Sequence, residues 1–332
     1  MIRVFGIRRL WPLIFLFTSS HSFISIISRL LHISFCAPVN KLLPTEFHLR
    51  TKDHYNLSSA TSHQKLRIFE KHLDPKKEVL VTIHEYLRGC DKPFTINATK
   101  AYLKTRPGIQ VVNVCWSAGF PTLESHVGVP LSAQAYPTAT RFVPCVGDVV
   151  AHFLRRIHSE SAISWKNITL IGHSLGAQLS GDVGNKLGGR LKKIIALDPA
   201  TPLYGISPLT SSLLKPKSAK RVIVVHTSLG QYNMGTADFY ANVPYTKQPG
   251  CEKFYTNVVT AWTKYWLCNH TRSVKYFIQA ILNKHAFPAK KCLTYRRAVK
   301  GKCRKKNSTY VEPDTKARGI FLFKTKSKYP YY

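Results

Sequence analysis

Past residue 40 the chain alternates between short, nearly unbroken apolar runs and longer stretches of helical periodicity. Residues 79–84 (VLVTIH), 109–116 (IQVVNVCW), 167–173 (NITLIGH), 192–198 (KKIIALD) and 221–227 (RVIVVHT) are rich in β-branched residues. A strand with one wet face alternates apolar and polar positions. A run that is apolar at both parities belongs to a strand buried on both faces, as in a parallel sheet covered by helices. Between these runs, Ala98–Lys104, Ala135–Ile157, Leu175–Leu187 and Thr271–Leu282 are predicted helices. Strands alternating with helices predict an α/β fold. No internal repeat or Gly/Ser-rich linker divides the pattern, so one domain is expected over residues 38–332.

The first 37 residues break this pattern. Arg3, Arg8 and Arg9 precede the apolar stretch LWPLIFLF and the small polar residues TSSHS, the order of a secretory signal, with cleavage expected between about Ser20 and Ala37. Pro12, Arg29 and His32 interrupt the apolar run before it reaches the length of a membrane span, about 20 residues. Eight cysteines, none in a Cys-x-x-Cys pair, fit an oxidising compartment and argue against zinc or thioredoxin-like chemistry. Cys292 and Cys303 are placed to close a loop. Sequons at Asn56, Asn97, Asn167, Asn269 and Asn307 agree with secretion.

Charge changes the picture of the partner. The chain has 49 Lys and Arg against 16 Asp and Glu, a formal net charge of +33. Loss of residues 1–37 would remove four Arg and no acid, leaving +29. Such an excess attracts anionic surfaces. No nucleic-acid motif and no interleaving of basic with aromatic residues accompanies it, so an anionic lipid surface, and not a nucleic acid, is the expected partner. Ten of the basic residues lie in 284–307, a segment without a single acid.

The residues that carry chemistry sit where strands end. GHSLG (172–176) has the Gly-x-Ser-x-Gly form of a nucleophile elbow, with a strand before it and a helix from Leu175 after it. There Ser174 is exposed on a strained turn, and the N–H of the next residue points at a developing oxyanion. Asp198 closes the following strand, which Pro199 prevents from continuing, and His270 follows in CNHTRSVKYF. Serine, aspartate and histidine in this chain order match the hydrolase arrangement. His226, at a strand end, is read as a structural histidine.

LIGHSLGA, LDPA, HTS, DFYAN, QPGC and CNHTRSVKYF occur in the order and approximate spacing of the animal lipase family that includes pancreatic lipase. The chain most resembles the insect branch, the phospholipase A1 and neutral lipases, over residues 45–332. The resemblance implies an α/β-hydrolase fold with a mostly parallel sheet. It also implies a triad of Ser174 (nucleophile), Asp198 (orienting the base) and His270 (general base and acid), with oxyanion donors at the backbone N–H groups of Leu175 and Tyr86. It implies a Cys251–Cys268 disulfide bracketing the lid, and leaves the pairing of Cys36, Cys90, Cys115 and Cys145 open. No metal or cofactor is implied. The pancreatic-type C-terminal β-sandwich is not expected, no colipase-type partner is implied, and a monomer is expected.

Departures from the family pattern sharpen the expectations. Where the family has His-Gly-aromatic, this chain has His84-Glu85-Tyr86, which sets bulk and negative charge beside the oxyanion site. Asp-Trp-Ser is replaced by Cys115-Trp116-Ser117, and the glycine before LDPA by Ala196. The segments His226–Asp238 and Glu252–Leu267, resembling the flap and lid, are short, as in the phospholipase A1 pattern. In the second segment Phe254, Val258, Trp262 and Trp266 recur at i, i+4, a stripe suited to a membrane interface. The expected function is therefore secreted lipid ester hydrolysis, foremost as a phospholipase A1 releasing the sn-1 fatty acid. The alternatives are a triacylglycerol or galactolipid lipase, or a weakly active or non-catalytic lipid- or glycan-binding homologue.

Overall fold

The computed structural model describes residues 36, 45–53, 57–59, 71–86, 89–116, 130–201, 214–228, 233–243, 247–251 and 258–332, without the side chains of 57–59, 130–135, 138, 258–264 and 305. The chain divides after Leu43, and every element below belongs to the unit Pro44–Tyr332. Apart from Cys36, the expected signal segment lies outside the described residues, as does Phe254.

The strands are β1 (Glu46–Arg50), β2 (Leu57–Ser59), β3 (Val79–Ile83), β4 (Gln110–Cys115), β5 (Ile168–His173), β6 (Lys193–Leu197), β7 (Val222–His226), β8 (Ala237–Ala241), β9 (Pro288–Cys292), β10 (Arg304–Tyr310) and β11 (Gly319–Phe323). The helices are α1 (Pro93–Thr105), α2 (Pro130–Glu160), α3 (Leu175–Lys186), α4 (Val258–Leu282) and α5 (Tyr295–Val299). One sheet joins the strands in the order β2-β1-β4-β3-β5-β6-β7-β8-β11-β9-β10. From β4 to β11 every neighbouring pair is parallel. β1, β2, β9 and β10 add antiparallel edges. This is the α/β-hydrolase architecture the sequence predicts.

The unbroken apolar runs are explained by two cores. Val79, Val81 and Ile83 of β3, with Val222 and Val224 of β7, face one core with residues of α2 and α3. Leu80, Ile223 and Val225 face the other, packed by α1 and α4 through Phe94, Ala98, Tyr102, Tyr276 and Phe277. Each parity of β3 and β7 therefore meets its own helix layer, and no position in these two strands is left for water. No helix among the described residues is long and apolar enough to cross a membrane.

Two regions differ from the sequence reading. α4 begins at Val258, well before Thr271, so part of the expected lid and the catalytic-histidine candidate share one helix. The basic segment 284–307 contributes β9, α5 and the start of β10, with Cys292–Cys303 closing its turn. β9 is exposed at Pro288 and Lys290 and buried at Ala289 between them, as in a strand with one wet face. Cys90–Cys115 and Cys251–Cys268 are also bonded; Cys36 and Cys145 are disulfide-bonded too, and no described cysteine is free.

Candidate active site

The turn between β5 and α3 is made by steric necessity. Ser174 caps α3 at φ 54° and ψ −118°, a region that side-chain-bearing residues adopt at a cost of about 1–3 kcal/mol. Its flanking glycines make the turn possible. A Cβ on Gly172 would lie 2.3 Å from the carbonyl oxygen of Gly176, and one on Gly176 would lie 2.2 Å from that of Ile83. The Ser174 N–H donates to Leu197 O at 2.9 Å, and the Ala200 N–H donates to Ser174 O at 3.2 Å. The elbow is thus tied to both flanks of Asp198. Leu175 opens α3, where a first-turn N–H has no partner within the helix.

Asp198, fully buried at φ 43°, is surrounded by donors. The Thr227 and Ser228 N–H groups donate to Oδ1 at 2.8 and 3.0 Å, and the Ser228 hydroxyl donates to Oδ2. His270 Nδ1–H donates to Oδ2 at 2.6 Å. Burial pushes the carboxyl up, but the hydrogen bond and charge of His270, with the Ser228 donors, hold it below the usual carboxylate value. Burial, then the neighbouring His173, pushes His270 below the usual imidazole value against the opposing pull of Asp198. A neutral imidazole with its Nδ1–H fixed leaves Nε2 as an acceptor. That atom is buried and makes no hydrogen bond among the described residues.

β3 ends beside the elbow, pairing Ile83 with Gly172, and delivers the loop His84-Glu85-Tyr86. His84 Nδ1 donates to Glu85 O at 2.8 Å and its Nε2 accepts from the Trp116 N–H at 3.3 Å. The Trp116 indole N–H donates to His84 O at 3.1 Å. Burial pushes the His84 imidazole down, consistent with this neutral tautomer. Cys115, where the family carries aspartate, bonds Cys90 and ties the far end of the same loop to β4. Half-buried Tyr86 packs edge-on against Tyr136, ring centres 5.5 Å apart. The carboxylate of Glu85 lies 3.3 Å from His173 Nδ1, an ion-pair contact without hydrogen-bond alignment. Burial is the largest single influence and pushes this carboxyl up; His173, the backbone and His84 together outweigh it and bring the group to about 2.

Of the interfacial stripe, Val258 and Trp262 lie on α4, and Trp266 stacks on His270 with ring centres 4.7 Å apart. His226 is structural, as expected: its Nε2 donates to buried Asp238 at 2.9 Å. Thr227 and Ser228 of the HTS motif hold Asp198, a role that the sequence alone does not single out. His48, Cys90 and Cys115 cluster within 4.8 Å, but both sulfurs belong to one disulfide and offer no thiolate to a metal.

The lipase family profile matches residues 34–312. The chain belongs to the lipase family. Among its relatives, "Phospholipase A1" of Vespa velutina is 32% identical over 255 residues, covering 74% of this chain and 79% of that one. "Phospholipase A1" of Vespula vulgaris is 33% identical over 239 residues, covering 70% and 66%. "Pancreatic triacylglycerol lipase" of Myocastor coypus is 28% identical over 276 residues, covering 78% and 57%. The matched part of the chain thus spans between 57% and 79% of the length of these curated relatives. The solved esterase PE8 superposes with a TM-score of 0.30 at 19% identity, over 57% of this chain and 77% of that one, too loosely to add to the argument. In this lipase-family chain Asp198, at the end of β6, meets His270 of α4, and the Ser174 turn is tied to the same end of β6.

Proposed function

We propose that this protein is a secreted carboxylic ester hydrolase acting on lipids, and that its preferred reaction is phospholipase A1 cleavage. The observation that carries the reading is the buried Asp198–His270 pair at 2.6 Å, at the same sheet edge as the strained Ser174 turn. In the proposed reaction His270 Nε2 takes the Ser174 hydroxyl proton as Oγ attacks the ester carbonyl. The oxyanion is held by the N–H groups of Leu175 and Tyr86. Collapse breaks the sn-1 ester bond, and His270 returns the proton to the departing lysophospholipid alkoxide. Water, deprotonated by His270, then releases the fatty acid from the acyl-serine.

Phospholipid is favoured as substrate by the short flap and lid segments and by relatives named as phospholipases A1. Secretion is supported by the signal-like N-terminus and by disulfide-bonded cysteines. The deciding experiment treats the purified protein with an active-site serine phosphonate and then with phosphatidylcholine bearing different chains at sn-1 and sn-2. The expected result is one label, lost in Ser174→Ala, and release of the sn-1 acid. Release from triacylglycerol alone would make it a triacylglycerol lipase, and absence of labelling would overturn the enzymatic reading.

A further inference from the structure

His173, beside the elbow serine, is fully buried, and both of its ring nitrogens face acceptors. Nδ1 lies 3.3 Å from the Glu85 carboxylate, and Nε2 lies 3.4 Å from the carbonyl oxygen of His270. A neutral imidazole carries one N–H and so leaves one nitrogen lone pair against an oxygen lone pair. An imidazolium can donate from Nε2 to His270 O and still set a protonated, positive Nδ1 against the carboxylate in an ion-pair contact. We propose that His173 is a buried imidazolium, counterbalanced by Glu85, and that this pair is a positioning and charge-setting device for the base His270.

The surroundings fit a deliberate charge. The His173 ring lies 4.5 Å from the His270 ring, and Trp266 covers His270 at 4.7 Å in a near-parallel plane. The base is thus in contact with both rings. From α1, His173 meets only the apolar ring of Phe94, at 5.9 Å. The charged and titratable groups facing the pair are His84, adjoining Glu85, and His270 itself. Those facing His270 are Asp198 with Ser228, His173 and Glu85. An unpaired buried cation would be expelled or neutralised; Glu85, where the family carries glycine, supplies the counter-ion. A positive ring beside the base disfavours a second positive ring, so His270 stays an acceptor at lower pH than Asp198 alone would allow. Glu85 therefore does not oppose the oxyanion; its charge is neutralised by His173.

The consequence for activity rests on the hydrolase reading, but the protonation state does not. The first measurement is nitrogen NMR of the full chain labelled at histidine, at neutral pH. The expected result is two protonated ring nitrogens on His173, becoming one in Glu85→Gln. A singly protonated His173 in the unaltered protein overturns the proposal without any variant. The second is the pH profile of kcat/KM on a soluble short-chain ester. In Glu85→Gln the acidic limb is expected to move up by about one pH unit, with Glu85→Asp restoring part of the shift. An unmoved limb in an active, folded Glu85→Gln protein overturns the charge-setting role. A protein that cleaves no ester but shows the doubly protonated ring leaves the ion pair standing and sinks the enzymatic reading.

Discussion

The Nδ1–H of His270 reaches Asp198 Oδ2 at 2.6 Å, while the Thr227 and Ser228 N–H groups hold the other carboxylate oxygen, Oδ1. The aspartate cannot turn away from the imidazole without losing those donors, so the tautomer of His270 is fixed by three elements at once. Asp198→Asn keeps the shape and presents an amide N–H in place of a lone pair. The expected loss in kcat is about 10⁴-fold, with KM for a soluble ester little changed. A loss below tenfold would show that His270 is oriented by something else.

Gly176 allows the first turn of α3 to lie against the end of β3. A methyl group there meets Ile83 O and His84 O at 2.2 and 2.4 Å, both backbone atoms. Gly176→Ala must push the oxyanion loop away from the elbow. Displacement of about 1 Å is expected to cost about a hundredfold in turnover, and thermal melting separates that from simple unfolding.

Trp266→Ala removes one of the two rings against His270 and should lower turnover on a soluble ester as well as on vesicles. Trp262→Ala, on the preceding turn of α4, should weaken only vesicle binding and hydrolysis of packed lipid. Equal effects of both variants on both substrates would abolish this division of labour.

Glu85 links acidity to stability. Its carboxyl is brought down to about 2 from an ordinary value of 4.5. A depressed carboxyl contributes stability that is present above the ordinary value and lost as pH falls through the folded one. The melting temperatures of the protein and Glu85→Gln should therefore differ most above about pH 5 and converge toward pH 2. A gap that widens on acidification would reverse the sign of this contribution.

The Asn269 sequon adjoins His270, and the structure gives its amide other duties. Oδ1 accepts from the Gln248 N–H at 2.6 Å, and Nδ2 donates to Tyr265 O at 2.7 Å, in a buried side chain. Glycopeptide mass spectrometry should find Asn269 bare, while Asn97 and Asn307, both exposed, remain open to glycans.

The parts of the site visible in the sequence are those where chemistry demands a local pattern. Gly172 and Gly176 mark a turn that tolerates no side chain, and Pro199 ends the strand that carries Asp198. The two-faced burial of β3, β5, β6 and β7 shows as unbroken apolar runs. What stayed hidden depends on distant partners. The Cys90–Cys115 pairing follows from the turn before α1 lying beside the end of β4, which spacing does not encode. β9 and β10 read as a charge run because Lys290, Arg304 and Lys306 are exposed, while only Ala289 and Cys292 of β9 are buried. Glu85 read as a defect beside the oxyanion site, because its partner His173 lies across a strand pairing and not along the chain.

α4 runs unbroken from Val258 to Leu282, with His270 near its middle and Cys268 bonded to Cys251 just before it. The thirteen residues from Val258 to His270, with a rise of about 1.5 Å at each step, span about 18 Å of rigid rod. Its C-terminal half is clamped under the sheet by Tyr276 and Phe277. The disulfide is then a fulcrum, and the half that precedes it a lever arm whose short end carries the imidazole. A small tilt imposed at the tip by a lipid surface would be delivered to His270 without passing through any hinge.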